Sequence, residues 1–238
     1  MHRQRLRAVI TGLVITALTG CSNASPSVPA ALPPAAGTEA AVVGTVAGQQ
    51  LSAYSSPGAA RPFLRLSSGT PFGSRRVVLV RAVRGDWLQV LLPVRPNGST
   101  AWVRRSELTL TKVRHRVRVS LAARQLVVYR GEQELFRTTA AVGADATPTP
   151  TGLYFVTDVV RTSSQQAAYG PYALGLSGHS PVLERFADGD AQIAVHGTSQ
   201  PRALGQAVSK GCVRIGNSAI SRLAKELPLG TPVQIDVR

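Results

Sequence analysis

Cys212 stands in Ser209-Lys210-Gly211-Cys212-Val213-Arg214-Ile215, with 15 residues between it and His196 of His196-Gly197-Thr198. A cysteine attacks a carbonyl as its thiolate, and an imidazole in reach can take the thiol proton and later return it to a leaving amine. The pair therefore implies covalent acyl chemistry, with Cys212 as nucleophile and His196 as acid and base. The plainer readings are an inert buried thiol and a packed core histidine. A structural zinc uses four ligands, and one His with one Cys falls short of that, so no metal and no organic cofactor is expected.

The elements that must position this pair read as mainly β. Val113, Val117 and Val119 alternate with Arg114, Arg116 and Arg118, the period of a strand with one buried face, and His115 falls on its apolar side. Gln125 to Tyr129 and Glu134 to Val142 flank Arg130-Gly131-Glu132 as a hairpin. Thr147 to Gly152 breaks the pattern before Leu153 to Val160 resumes it. After the cysteine, Ile220, Leu223, Ala224 and Leu227 share one helical face. Asn217 or Ser218 is placed to cap that helix, and Pro228 and Gly230 stop it. A turn between Val208 and this helix would set Cys212 near backbone N–H groups able to bind an oxyanion.

Residues 41–110 show short β-type runs and tight turns. Val77 to Val83 and Trp87 to Leu92 flank Arg84-Gly85-Asp86, and Asn97-Gly98 suits a hairpin before Ala101-Trp102-Val103. Gly85-Asp86-Trp87-Leu88-Gln89-Val90 with Ala101-Trp102-Val103 resembles bacterial SH3-like domains, which implies a small barrel. Upstream, Arg3, Arg5 and Arg7 precede an apolar run from Ala8 to Leu18, the pattern of an export signal. Leu18-Thr19-Gly20-Cys21 resembles the lipobox of bacterial lipoproteins, which implies lipid on Cys21 and a mature chain tethered to a membrane. Ser22 to about Ala40, with Pro26, Pro29, Pro33 and Pro34, lacks the apolar periodicity to repay ordering entropy. The expected layout is a signal at 1–20, a tether at 21–40, the small β module at 41–110 and the catalytic unit at 111–238.

The formal net charge is +15, and it remains +12 without the signal. Such a surface seeks polyanions, and an exported protein meets anionic lipid heads and wall polymers before nucleic acid. No recognition helix, paired RNP aromatics or zinc-finger spacing supports nucleic acid as a partner.

His196-Gly197-Thr198, the Ser209 to Arg214 box, Thr149-Pro150-Thr151-Gly152 and Leu229-Gly230-Thr231-Pro232-Val233 occur in the order that resembles the L,D-transpeptidase catalytic domain, also called YkuD-like. The resemblance implies a β-sandwich that crosslinks peptidoglycan. A stem tetrapeptide is attacked at the carbonyl of its third residue, D-alanine leaves, and an amine of a second stem resolves the thioester. Carried onto this chain, Gly197 would orient the imidazole through its carbonyl, and the amides of Lys210, Gly211 and Cys212 would bind the oxyanion. Arg214, Ser209, Thr198 and Tyr172 are the candidate substrate contacts. Lys210 stands where the family often has histidine, and its ammonium would favour a thiolate if it faced the sulfur.

The same resemblance makes carbapenem inhibition an expectation and stem peptides the partner, with the protein working as a monomer. Arg214 reads equally as a solvated surface residue. Tyr169 and Tyr172 read as a lid or as core, and His179 as loop or substrate contact. An L,D-carboxypeptidase that passes the acyl group to water, or a wall-binding protein with no activity, would carry much of the same sequence.

Overall fold

The computed structural model describes residues 39–186 and 189–238; the export-type segment, Cys21 and the tether lie outside them. The first seven strands are β1 (Ala41–Val46), β2 (Gln50–Ala53), β3 (Leu64–Ser67), β4 (Val77–Arg84), β5 (Trp87–Leu91), β6 (Thr100–Arg104) and β7 (Leu108–Val113). Five of them form an antiparallel sheet in the order β6-β5-β4-β1-β7, and β2 and β3 make a separate hairpin. Tyr54, just past β2, bridges to Trp102 of β6 and joins the hairpin to the sheet. The alternation seen in sequence works as expected. Leu88 and Val90 point inward with Val78, Val80, Ala101 and Val103, and all are buried. Gly85 takes the positive φ of 57° that the β4–β5 turn requires.

β7 pairs with β1 as far as Val113, opposite Ala41. The alternating run that begins near Thr111 is thus two strands, and the first sheet continues three residues past 110. The second unit follows with β8 (His115–Ser120), β9 (Gln125–Arg130), β10 (Gln133–Thr139), β11 (Val142–Gly143), β12 (Gly152–Arg161) and β13 (Tyr172–His179). It continues with β14 (Gln192–His196), β15 (Ala207–Ser209), β16 (Val213–Arg214), α1 (Asn217–Glu226) and β17 (Pro232–Asp236).

Eight of these strands form one sheet in the order β10-β9-β8-β17-β12-β13-β14-β16, parallel only at β8–β17 and β14–β16. β11 pairs with β15 in a small parallel ribbon beside it. The core of this unit brings Val117, Val119, Leu126, Leu174, Ile193 and Ile215 under α1, whose Ala219, Ile220 and Leu223 are buried. The chain is mainly β, with one α-helix among the described residues.

The two units share a third apolar cluster. Phe155 of β12 is fully buried against Val43, Val77, Leu79, Leu91 and Val113, all from the first sheet. Among the described residues no helix is long and apolar enough to cross a membrane.

Candidate active site

His196 is the last residue of β14, and its register partner on the parallel β16 is Arg214. That pairing sets the Cys212 turn level with Ala194 of β14, and the thiol meets the backbone amide of Ala194, two residues before His196. The turn itself is fixed from below. Ser209 Oγ donates to the Cys212 carbonyl at 2.5 Å and accepts the Gly211 N–H at 3.1 Å. Gly211 has φ 113°, a region side chains avoid, and a Cβ there would stand 3.1 Å from Ile193 Cδ1.

The Thr147 to Gly152 segment buttresses this turn. Thr147 Oγ1 donates to the Ser209 carbonyl at 3.0 Å, the Ala144 N–H donates to the same oxygen at 2.9 Å, and buried Thr149 accepts the Gly143 N–H at 2.8 Å.

His196 is 4% exposed, and its Nδ1–H donates to the Gly197 carbonyl at 2.6 Å. A carbonyl can only accept, so the bond places the proton on Nδ1 and leaves the Nε2 lone pair able to accept one. The Tyr169 ring leans on the imidazole, centroids 4.8 Å apart at 58°. Burial drives the imidazole pKa down to about 4, against the opposing pull of the Gly197 and Tyr169 carbonyls, and the charge of Arg214 lowers it further. Burial likewise pushes the Cys212 thiol up, with the Ala194 amide and then the Arg214 charge opposing it. Tyr169 is raised by its own burial and by the nearness of Cys212. Thiol, imidazole, phenol and guanidinium thus lie within one another's electrostatic reach, and at neutral pH the first two rest uncharged.

Arg214 is held by two backbone bonds to Ala141, both 2.8 Å, and its buried Nε has no hydrogen-bond partner among the described residues. A buried guanidinium nitrogen left unpaired in this way suits an incoming carboxylate. Two of the other residues read as substrate contacts, Ser209 and Thr198, are committed internally. Ser209 holds the cysteine turn as described. Thr198 gives its N–H to Asn217 Oδ1 at 2.8 Å and accepts the Gln200 N–H on its hydroxyl at 2.9 Å. Tyr172 packs against the core, and its carbonyl takes the Gly197 N–H at 3.3 Å. The aromatic residue on the histidine is Tyr169, three residues earlier.

Lys210 turns away from the sulfur, its Nζ 5.2 Å from the centre of the Phe186 ring. The Gly211 amide, bound to Ser209, is already spent. His179 is buried, with Nε2 at 2.9 Å from Asp190 Oδ2 and its backbone paired to Asn97, so it braces a loop. Asn217 does not cap α1; Gly216 takes the cap position with no side-chain bond. Its Oδ1 instead serves Thr198, at a point so crowded that a Cβ on Gly170 or Gly197 would collide with it. Nothing in the local sequence distinguishes this role from capping. Among the described residues no cluster of three metal-ligating side chains occurs.

Residues 114–235 match the family described as the L,D-transpeptidase catalytic domain, YkuD. Two curated proteins named "Putative L,D-transpeptidase YkuD" are similar to this stretch, that of Bacillus subtilis at 31% identity over 122 residues and that of Bacillus licheniformis at 33% over 121. The matches cover 51% of this chain and 66% and 65% of those proteins, just under two thirds of their lengths. The crystal structure of L,D-transpeptidase 3 from Mycobacterium tuberculosis in complex with a faropenem-derived adduct aligns at TM-score 0.47 and 16% identity, over 68% of this chain and 91% of that one. The matched segment takes up about half of the 238 residues and contains His196, Cys212, Arg214 and Asn217, and the chain belongs to the L,D-transpeptidase (YkuD) catalytic-domain family.

Proposed function

We propose that this protein is a peptidoglycan L,D-transpeptidase that works through an acyl-enzyme on Cys212. The observation that supports it best is the β14–β16 pairing, which gathers the half-buried thiol, the buried imidazole of His196 and the unpaired Arg214 Nε at one end of the sheet.

His196 Nε2 takes the thiol proton as sulfur attacks the carbonyl of the third stem residue. The backbone amides of Lys210 and Cys212 bind the oxyanion, and removing one such donor typically costs about 3 kcal/mol in barrier. The imidazolium then gives its proton to the nitrogen of the departing D-alanine, leaving a thioester. An amine on a second stem loses a proton to the imidazole, attacks the thioester and releases the thiol. Arg214 orients a stem carboxylate with its guanidinium fork.

The uncharged resting pair fits a nucleophile that ionises only when a carbonyl is in place. β-Lactams acylate the same sulfur. In this reading the chain is an exported lipoprotein anchored through Cys21 on the 21–40 tether, with the first unit as an SH3-like module facing the wall.

Mass spectrometry of the protein after incubation with a purified stem tetrapeptide tests the reading. A thioester on Cys212 followed by crosslinked dimer supports it, tripeptide alone means a carboxypeptidase, and an adduct that persists in Cys212→Ala overturns the assignment.

A further inference from the structure

Residues from the other unit bond both arms of the connection between β13 and β14. Arg95, in the β5–β6 loop of the first sheet, donates from Nη1 to the Ser180 carbonyl at 2.7 Å and from Nη2 to the carbonyls of Leu183 and Asp190, both at 2.8 Å. Three acceptors on both arms of the connection are thus met by one planar fork, which a lysine cannot reproduce. Asn97 imitates a peptide group beside it. Its Nδ2 donates to the His179 carbonyl and its Oδ1 accepts the His179 N–H, each at 2.8 Å. Within the connection, Ser180 N–H to the Ala191 carbonyl and His179 Nε2 to Asp190 close the base.

The far end of the same connection reaches the active site. Phe186 and Gly189 exchange two backbone bonds near 3 Å, and the Phe186 ring lies under the Lys210 ammonium. Lys210 is two residues from the nucleophile. A continuous line therefore runs from Arg95 and Asn97 through the β13–β14 connection to the rim beside Cys212.

We propose that Arg95 and Asn97 are positioning residues for the reaction: the first unit clamps the β13–β14 connection, and the connection sets Phe186 and Lys210 as one wall of the substrate groove. The clamp acts on substrate placement and leaves the thiol and imidazole untouched, because its bonds end at Leu183 and Asp190 on the rim side and none reaches β14 beyond them. The β5–β6 loop supplies a function that its Asn-Gly pair, read as a hairpin turn alone, does not reveal. This inference rests on the transpeptidase reading for its substrate.

The test uses the full chain with Arg95→Ala, Asn97→Ala, Arg95→Lys and Phe186→Ala, assayed well below each variant's thermal midpoint. Arg95→Ala should raise KM for the tetrapeptide donor roughly 10-fold or more while kcat and the rate of Cys212 alkylation by iodoacetamide stay within about twofold. Arg95→Lys should not restore KM, since a point charge reaches one carbonyl where the fork reaches three. In a Phe186→Ala background the Arg95→Ala effect should nearly vanish, as expected for two residues acting through one element. Additive effects of the two substitutions, or an Arg95→Ala enzyme with unchanged KM, would overturn the proposal. If the wild-type protein does not turn over the tetrapeptide, the transpeptidase reading falls and the clamp is judged on its own. Faster hydrogen exchange at the Phe186 amide together with faster acylation of Lys210 in Arg95→Ala then supports it, and unchanged values in both refute it.

Discussion

The Arg214 guanidinium, in register with His196, is the cation that acts on the Cys212 thiol, although Lys210 is equally close in sequence. Gly211, at φ 113°, breaks the strand between 210 and 212. The period-two rule that would put both side chains on one face does not survive such a turn, and Lys210 swings to Phe186.

Removing the Arg214 charge should therefore push the thiol further up. In Arg214→Gln the pH at which iodoacetamide alkylation reaches half its maximum rate should rise, and in Lys210→Gln it should stay put. A shift in Lys210→Gln as large as that in Arg214→Gln would contradict the geometry.

Burial that holds His196 near pKa 4 also sets two pH dependences. The base is available throughout the neutral range, so the acid limb of kcat/KM for donor acylation should lie near pH 4 to 5, well below the ordinary imidazole value of about 6.5. Stability follows the same group. Between about pH 6.5 and 4 the unfolded chain binds a proton that the folded chain refuses, so the contribution is whole above 6.5 and declines as pH falls to 4, by on the order of 3 kcal/mol. Urea midpoints at pH 4.5 and 7 should differ less in His196→Gln than in the wild-type protein; equal differences would refute the buried neutral imidazole.

The parts of the molecule that are legible in the sequence are those with a local signature. Val117 and Val119 alternate with arginines and are buried, and Ile220 and Leu223 share a helical face and pack inward. The order of the His196 and Cys212 boxes marks the site along the chain. What escapes depends on contacts between distant segments. Arg95 and Asn97 reach residues more than 80 positions away, and Phe155 sits in a strand whose alternation says which face is buried but not by what. Ser209 and Thr198 fall inside the family's motifs, which do not separate a side chain that meets substrate from one that ties the turn beneath it.

Asn217 joins the start of α1 to the segment after His196, and its loss should be felt in both. Asn217→Ala leaves the Thr198 N–H without its acceptor, at a cost of about 1–3 kcal/mol. Acylation of Cys212 by the tetrapeptide should slow by about tenfold, because the Gly197 carbonyl that orients His196 sits beside this contact. Asn217→Asp keeps an oxygen in place and should recover most of both. If Asn217 were only a helix cap, Asn217→Ser would serve as well as the wild type, and acylation rates distinguish the two.

Phe155 makes the two units one folding problem. In the full chain its side chain is fully buried against the first sheet, and Val43 of that sheet packs so closely on Gly230 that a Cβ there would collide with it. Phe155→Ala should cost about 3–5 kcal/mol, the usual range for emptying an aromatic core site. A fragment covering 114–238 leaves Phe155, Leu153 and Leu229 without their partners from the first sheet. Such a patch of newly exposed apolar surface favours association and lowers solubility. Phe155→Thr should then act with opposite signs, destabilising the full chain while making the fragment more soluble and monomeric. Denaturant midpoints and sedimentation of the four proteins check this. A fragment as soluble and as stable as the full chain, with Phe155 intact, would show that the first unit is a separate appendage and that the shared cluster contributes little.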